Sequence, residues 1–127
     1  MIYGIGTDIV EIERMKKAVA KEAFVQRVFS EAEIAYCRSR KAGAAASFAG
    51  RFAAKEAVLK AFGTGLRDGR LVDLEILNDE LGCPHLELKG YFKELMEAKG
   101  ITRAWVSISH AQAYATAQCV LETEKEA

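Results

Sequence analysis

Residues 44–65 read AAASFAGRFAAKEAVLKAFGTG, and this stretch decides the fold. It is rich in alanine, the strongest helix former, and no proline interrupts it. The spacing predicts one long helix over Ala44–Phe62, with Gly63 placed to stop it. Glu56 is the informative residue within it. At about 100° per residue, Glu56 falls beside Ala45, Ala49, Phe52 and Leu59, so it faces the edge of the core rather than solvent. Ala49 and Ala53 leave space around it. A carboxylate so placed needs a cation or several hydrogen bonds. Lys60, one turn later, can supply an i,i+4 ion pair, and a metal ion can serve equally well; the residues leave both open.

Upstream, residues 2–10 (IYGIGTDIV) read as a buried strand whose glycines allow close backbone approach. From Glu11 the period changes: Ile12, Met15 and Val19 recur at helical spacing, with Arg14, Lys16, Lys17 and Lys21 mostly elsewhere on the helix. A short amphipathic piece holds Phe24, Val25, Val28 and Phe29. Ser30 followed by Glu33 is a capping-box signature, which starts a helix running to about Arg38. Residues 39–43 and 63–70 read as loops.

Downstream, residues 71–77 (LVDLEIL) alternate as a strand, Asn78–Pro84 form a turn, and His85–Leu88 pair back. Lys89–Lys99 is a helix stopped by Gly100. Residues 104–110 and 114–121 read as two strands joined by Ala111-Gln112-Ala113 in a hairpin. The last six residues are charged and expected to fray. The order predicts a single α+β domain spanning 1–127, with a long alanine-rich helix packed on a largely antiparallel sheet.

With 127 residues, half of them apolar, the chain can bury one core. It has no apolar run of membrane-spanning length and no signal-peptide pattern at its start, so a cytoplasmic location is expected, with no membrane partner. Cys37, Cys83 and Cys119 are scattered and form no C-x-x-C pair, which reads as reduced thiols. The net charge of zero hides an asymmetry: residues 1–60 carry 11 basic and 7 acidic side chains. Between Ile34 and Lys55 there are five cations and no carboxylate. Such a face steers an acidic partner or binds phosphates. No aromatic-interleaved basic motif points to nucleic acid.

Asp8 is the second carboxylate in a costly place, between Ile5 and Ile9-Val10. It reads either as a helix cap, though slightly early for one, or as a ligand. If Asp8 and Glu56 converge, the pair suits magnesium, which prefers oxygen and keeps waters for a substrate phosphate. Zinc is not indicated, because His85 and His110 have no matching cysteine or histidine cluster. Lys55 and Lys60 flank Glu56 as phosphate contacts, and Gly63-Thr64-Gly65 lets backbone amides approach phosphate oxygens. No P-loop is present. The bottom-up reading is a small α+β domain with a candidate magnesium and phosphate site, the Glu56–Lys60 ion pair standing as its alternative, and a basic face.

Three stretches carry a resemblance. Residues 4–14 (GIGTDIVEIER) resemble the first signature of the holo-acyl-carrier-protein synthases, the short type of phosphopantetheinyl transferase. Residues 51–65 (RFAAKEAVLKAFGTG) look like the second, and Ser107-Ile108-Ser109-His110 resembles the third. The sequence departs from the family at Gly82-Cys83-Pro84, where Gly-Lys-Pro is frequent. The turn carries over; any contact made by that lysine does not.

The resemblance implies transfer of the 4′-phosphopantetheine arm of coenzyme A to a serine of apo acyl carrier protein, for fatty acid biosynthesis. It implies that Asp8 and Glu56 bind Mg2+ together with the coenzyme pyrophosphate. Glu56 and Lys60 would act in catalysis, with Glu56 or a metal-bound water as base. Lys60, the Gly63–Gly65 backbone and His110 would lie near the coenzyme. Arg14 and the basic first helix, with Lys17 and Lys21, would dock the acidic carrier. The family's short members are similar in forming homotrimers with clefts between subunits. The same residues also allow a magnesium-dependent phosphohydrolase of coenzyme A or nucleotides, or a non-catalytic carrier-binding module.

Overall fold

The computed structural model describes residues 1–65 and 67–124. Strand β1 (Ile2–Glu11) leads into helices α1 (Ile12–Val19), α2 (Glu22–Val28) and α3 (Glu31–Ser39), then the long α4 (Ala44–Phe62). Strands β2 (Leu74–Asn78) and β3 (Pro84–Leu88), helix α5 (Gly90–Ala98), and strands β4 (Ile101–His110) and β5 (Tyr114–Thr123) follow. The expected α+β order is present. β5 lies at the centre of an antiparallel sheet in the order β1-β5-β4, and β2 and β3 form a separate hairpin.

Helix α4 spans the expected residues, and Gly63 ends it at φ 82° by donating its amide to the Leu59 and Lys60 carbonyls. Twelve of its 19 residues are buried, so it has no solvent face and acts as the axis of the domain. One side packs with Leu74, Ile76, Phe92, Ala117, Cys119 and Leu121, the other with Met15, Val25, Val28, Phe29 and Ile34.

β1 packs on α4 through its glycines. A Cβ at Gly6 would sit 1.9 Å from the Ala57 carbonyl oxygen, and one at Gly4 would sit 2.1 Å from that of Ala61. Two strand residues advance about 6.7 Å and four helical residues about 6 Å, so the contact repeats once per turn. Any side chain at either glycine would push strand and helix apart.

β1 is not the buried strand expected from its apolar sequence. Tyr3, Ile5, Thr7 and Ile9 are exposed, because helices cover only one face of the sheet. Residues 71–77 also differ: Leu71–Asp73 form a 3-10 turn and the strand begins at Leu74. The reason lies in α4, where the Lys55 ammonium takes the Leu71 and Leu74 carbonyls at 2.8 and 2.9 Å. At the C-terminus, Glu122 and Thr123 belong to β5, Glu124 follows as an exposed bend, and the rest of the expected frayed tail, 125–127, lies outside the described residues. The loop expected at 63–70 is described except for residue 66.

The capping box expected at Ser30 and Glu33 is formed, and Glu33 does more than cap. Its Oε1 accepts from the Ser30 amide and from Lys55 Nζ, each at 2.8 Å, and its Oε2 accepts from the Ile76 amide at 3.0 Å. Both side chains are fully buried. Burial pulls the Lys55 ammonium below its ordinary pKa, and Glu33 opposes that pull. This one ion pair ties α3, α4 and the β2–β3 hairpin together. Replacing Glu33 with Gln strands a buried cation, so chemical denaturation should give a loss of about 3–5 kcal/mol. A Glu33→Leu, Lys55→Met double variant should recover only part of it, because the Ser30 and Ile76 amides lose their acceptor.

Candidate active site

The β1–α4 contact decides where the carboxylates meet. Gly4 lies against Ala61 and Gly6 one turn back against Ala57. The same progression brings Asp8, two residues further along that face of β1, level with the turn holding Glu56. Both carboxylates line one cleft of about 520 Å³, with Arg14 at its rim and Phe24, Phe52 and Tyr114 among its walls. β1 is held in register there by Thr7 Oγ1, which donates to the Ala117 carbonyl, and by Thr116 Oγ1, which donates to that of Asp8.

Lys60 does not pair with Glu56 as its i,i+4 spacing allowed. Its Nζ reaches across to Asp8 Oδ1 at 3.1 Å and to the Thr7 carbonyl at 2.9 Å. Among the described residues, Glu56 has no hydrogen bond or ion pair. Burial, then the charge of Asp8, raises its carboxyl above the ordinary value, and Lys60 only partly opposes this. Lys60 is thus committed to Asp8 and leaves Glu56 without a cation in contact, beside open space in a cleft that Glu11 and Arg14 also line. That donor set fits a hard dication that binds oxygen and keeps free positions.

Lys55 is a correction. It was expected beside the coenzyme phosphates, yet it is fully buried and bound to Glu33, Leu71 and Leu74. One residue is about 100° of helix rotation, so Lys55 and Glu56 cannot share a face. The Gly63 amide is consumed in capping α4, and the Thr64 hydroxyl donates to the Gly65 carbonyl at 3.2 Å. None of Gly63, Thr64 and Gly65 lines the cleft. Arg14, Lys17 and Lys21 are exposed on and just after α1, with Arg14 touching the cleft.

His110 was expected near the carboxylates, but within one protomer it belongs to a second cleft, of about 300 Å³. Arg40 and Arg51 line that cleft too, and the residue reading missed both as ligand contacts. Arg51 is 5% exposed, stacks on Tyr36 at 4.2 Å, and donates to Ser47 at 3.1 Å and to Asn78. Its Nε is buried without a partner. A guanidinium held so, with no carboxylate among the residues lining the cleft, has the donor chemistry that suits an anion. The signal was present in the acid-free basic run from Ile34 to Lys55.

Residues 4–119 match the 4′-phosphopantetheinyl transferase superfamily. The chain is 48% identical over 120 residues to a holo-[acyl-carrier-protein] synthase of Ruminiclostridium cellulolyticum, covering 92% of this chain and 90% of that one. It superposes on the holo-[acyl-carrier-protein] synthase of Neisseria meningitidis with a TM-score of 0.88 at 34% identity, over 97% and 100% of the chains. The Helicobacter pylori enzyme, solved in complex with coenzyme A, gives 0.82 at 35% identity, over 93% and 99%. This chain belongs to the 4′-phosphopantetheinyl transferase superfamily.

An ionised Glu56 costs stability in the free protein. Its folded pKa lies above the unfolded value near 4.5, so the cost is present above the folded pKa and vanishes below the unfolded one. In metal-free buffer Glu56→Gln should raise the unfolding midpoint at pH 7. Calorimetry across pH should find that gain shrinking as the pH falls toward 4.5 and absent below it.

Proposed function

We propose that this chain transfers the 4′-phosphopantetheine arm of coenzyme A to a serine of an apo acyl carrier protein, as a magnesium-dependent holo-acyl-carrier-protein synthase in the cytoplasm serving fatty acid biosynthesis. The observation that carries the reading is the unpartnered Glu56 carboxylate beside Asp8, at the mouth of a cleft rimmed by Arg14. Asp8 and Glu56 would hold Mg2+, which supplies charge neutralisation at the pyrophosphate when bound.

The serine Oγ attacks the β-phosphorus of coenzyme A. The new O–P bond forms as the bond to the bridging oxygen breaks, and adenosine 3′,5′-bisphosphate leaves. Glu56 takes the serine proton directly or through one water, the water serving where Glu56, as a ligand of the metal, is made less basic. Lys60, half exposed and tethered only to Asp8 and the Thr7 carbonyl, turns to the phosphate oxygens as charge develops there. Thr64 and Gly65 follow α4 just beyond Lys60, outside the cleft of the free chain, and would meet the coenzyme phosphates there. Arg14, Lys17 and Lys21 offer the acidic carrier a positive face whose attraction screens with salt.

The active assembly is a homotrimer. The uncovered sheet face carries Ile5 and Ile9, 67% and 65% exposed, and Trp105, 54% exposed. A second copy buries such a surface. Each protomer also presents the carboxylate cleft and the Arg51–His110 cleft separately. Joining the first of one copy to the second of its neighbour places the pyrophosphate near Asp8 and the nucleotide phosphate near Arg51 and His110.

Incubation with apo carrier protein, coenzyme A and magnesium should add one phosphopantetheine arm to the carrier by intact mass, and EDTA should abolish the gain. Asp8→Ala should lower turnover by about 100-fold or more while carrier binding persists. Breakdown of coenzyme A without carrier modification would make the protein a hydrolase; carrier binding with no turnover would make it a recruiting module. Separately, Ile9→Glu should shift the protein to monomer in light scattering and remove transfer activity without lowering the unfolding midpoint of the isolated chain.

A further inference from the structure

The hairpin turn between β2 and β3 brings together side chains that the sequence keeps apart. Asp79, Cys83 and His85 are all exposed, and their ligand atoms lie within 4.8 Å of one another. The donor set is one carboxylate oxygen, one thiol sulfur and one imidazole nitrogen. Cys83 is the one exposed thiol among the described residues; Cys37 and Cys119 are buried.

The turn is shaped before any ligand arrives. Asn78 pairs with Pro84 and Leu77 with His85 across the hairpin, which fixes where His85 stands. Asp79 Oδ1 accepts from the Leu81 and Cys83 amides, each at 2.9 Å. The Asp79 amide donates to the Cys83 carbonyl at 3.0 Å, and Asn78 Nδ2 donates to the Gly82 carbonyl at 2.8 Å. With Oδ1 committed to the backbone, Oδ2 is left to face His85 Nε2 at 2.9 Å.

We propose that Asp79, Cys83 and His85 form a surface site for a borderline divalent cation of the zinc type, apart from the carboxylate cleft and on the turn whose Gly82 and Pro84 border the Arg51–His110 cleft. Tetrahedral bonds to sulfur, nitrogen and oxygen place ligand atoms about 3.3–3.6 Å apart. The cluster needs only small side-chain rotations to reach that spacing. The cation takes the place of the hydrogen bond between Asp79 and His85, with the imidazole proton held on Nδ1 so that Nε2 is free to ligate, and the Cys83 thiol loses its proton to solvent as the metal–sulfur bond forms. Water completes the fourth position. Magnesium does not suit a sulfur- and nitrogen-containing set, so the two sites sort cations by donor chemistry.

The test uses the full chain, stripped with chelator under reducing conditions, and cobalt(II) as a spectroscopic stand-in for zinc. One equivalent should produce a thiolate-to-cobalt charge-transfer band with the intense visible absorption of a tetrahedral ion, and zinc should displace it. Cys83→Ser should remove the charge-transfer band, and His85→Ala should weaken binding at least tenfold. Glu56→Gln should leave the spectrum unchanged. Circular dichroism of the metal-free variants should match the parent, because all three side chains are exposed. Absence of the band in the parent overturns the proposal. So does a band that survives Cys83→Ser, or one that disappears with Glu56→Gln, since the ion would then sit elsewhere.

Discussion

The contact between β1 and α4 at Gly4 and Gly6 is the constraint on which the rest depends. Backbone touches backbone there, with no side chain to absorb an error in register. Strand and helix are therefore locked along their length, and residues on the two elements acquire fixed partners. Asp8 stands opposite the Glu56 turn for this reason, and Lys60 can reach back to Asp8 and Thr7 for the same reason. The electrostatic frustration of the site, in which Lys60 pairs with Asp8 and leaves Glu56 without a cation in contact, is thus written into a packing contact. Packing contacts of this kind hold charge in place where solvent would otherwise relax it.

α4 carries two ionic systems on different faces, and adjacent residues feed them. Lys55 closes a buried pair with Glu33 that satisfies three elements at once; Glu56 is left with open space and raised basicity. The first system is complete within the chain, and the second is not. A folded protein tolerates that imbalance where function uses it, at a cost in stability of the free form. The neutral net charge of the whole chain conceals this division entirely.

What was legible in the sequence was whatever local chemistry dictates. The long helix and its glycine stop, the Ser30–Glu33 capping box and the Ala111–Ala113 hairpin were all read from short spacings, and all are present. What could not be read depended on neighbours distant in the chain. β1 looked buried because its residues are apolar, whereas helices cover only one face of its sheet. Lys55 looked like a phosphate contact because it adjoins Glu56, and no local pattern announces that residues 71 and 74 will turn their carbonyls toward it. A helix buried on all sides offers no polar face from which to sort functional from structural charges. The Asp79–Cys83–His85 grouping was missed for a related reason: a search for paired cysteines and histidines does not register a mixed set closed by a hairpin turn.

His110 bears on how the whole is put together. Its position on β4 was anticipated, but the fold places it and Arg51 in a different cleft from Asp8 and Glu56. One chain therefore presents two separate clefts, one lined by carboxylates and one by arginines. Their opposite charges complement the two kinds of group on a ligand such as coenzyme A, whose pyrophosphate calls for a cation bridge and whose nucleotide phosphate calls for arginine. The uncovered apolar sheet face lies on the other side of the strands that carry both Asp8 and His110. Association through that face would fix the relation between neighbouring clefts as firmly as Gly4 and Gly6 fix the carboxylates within one.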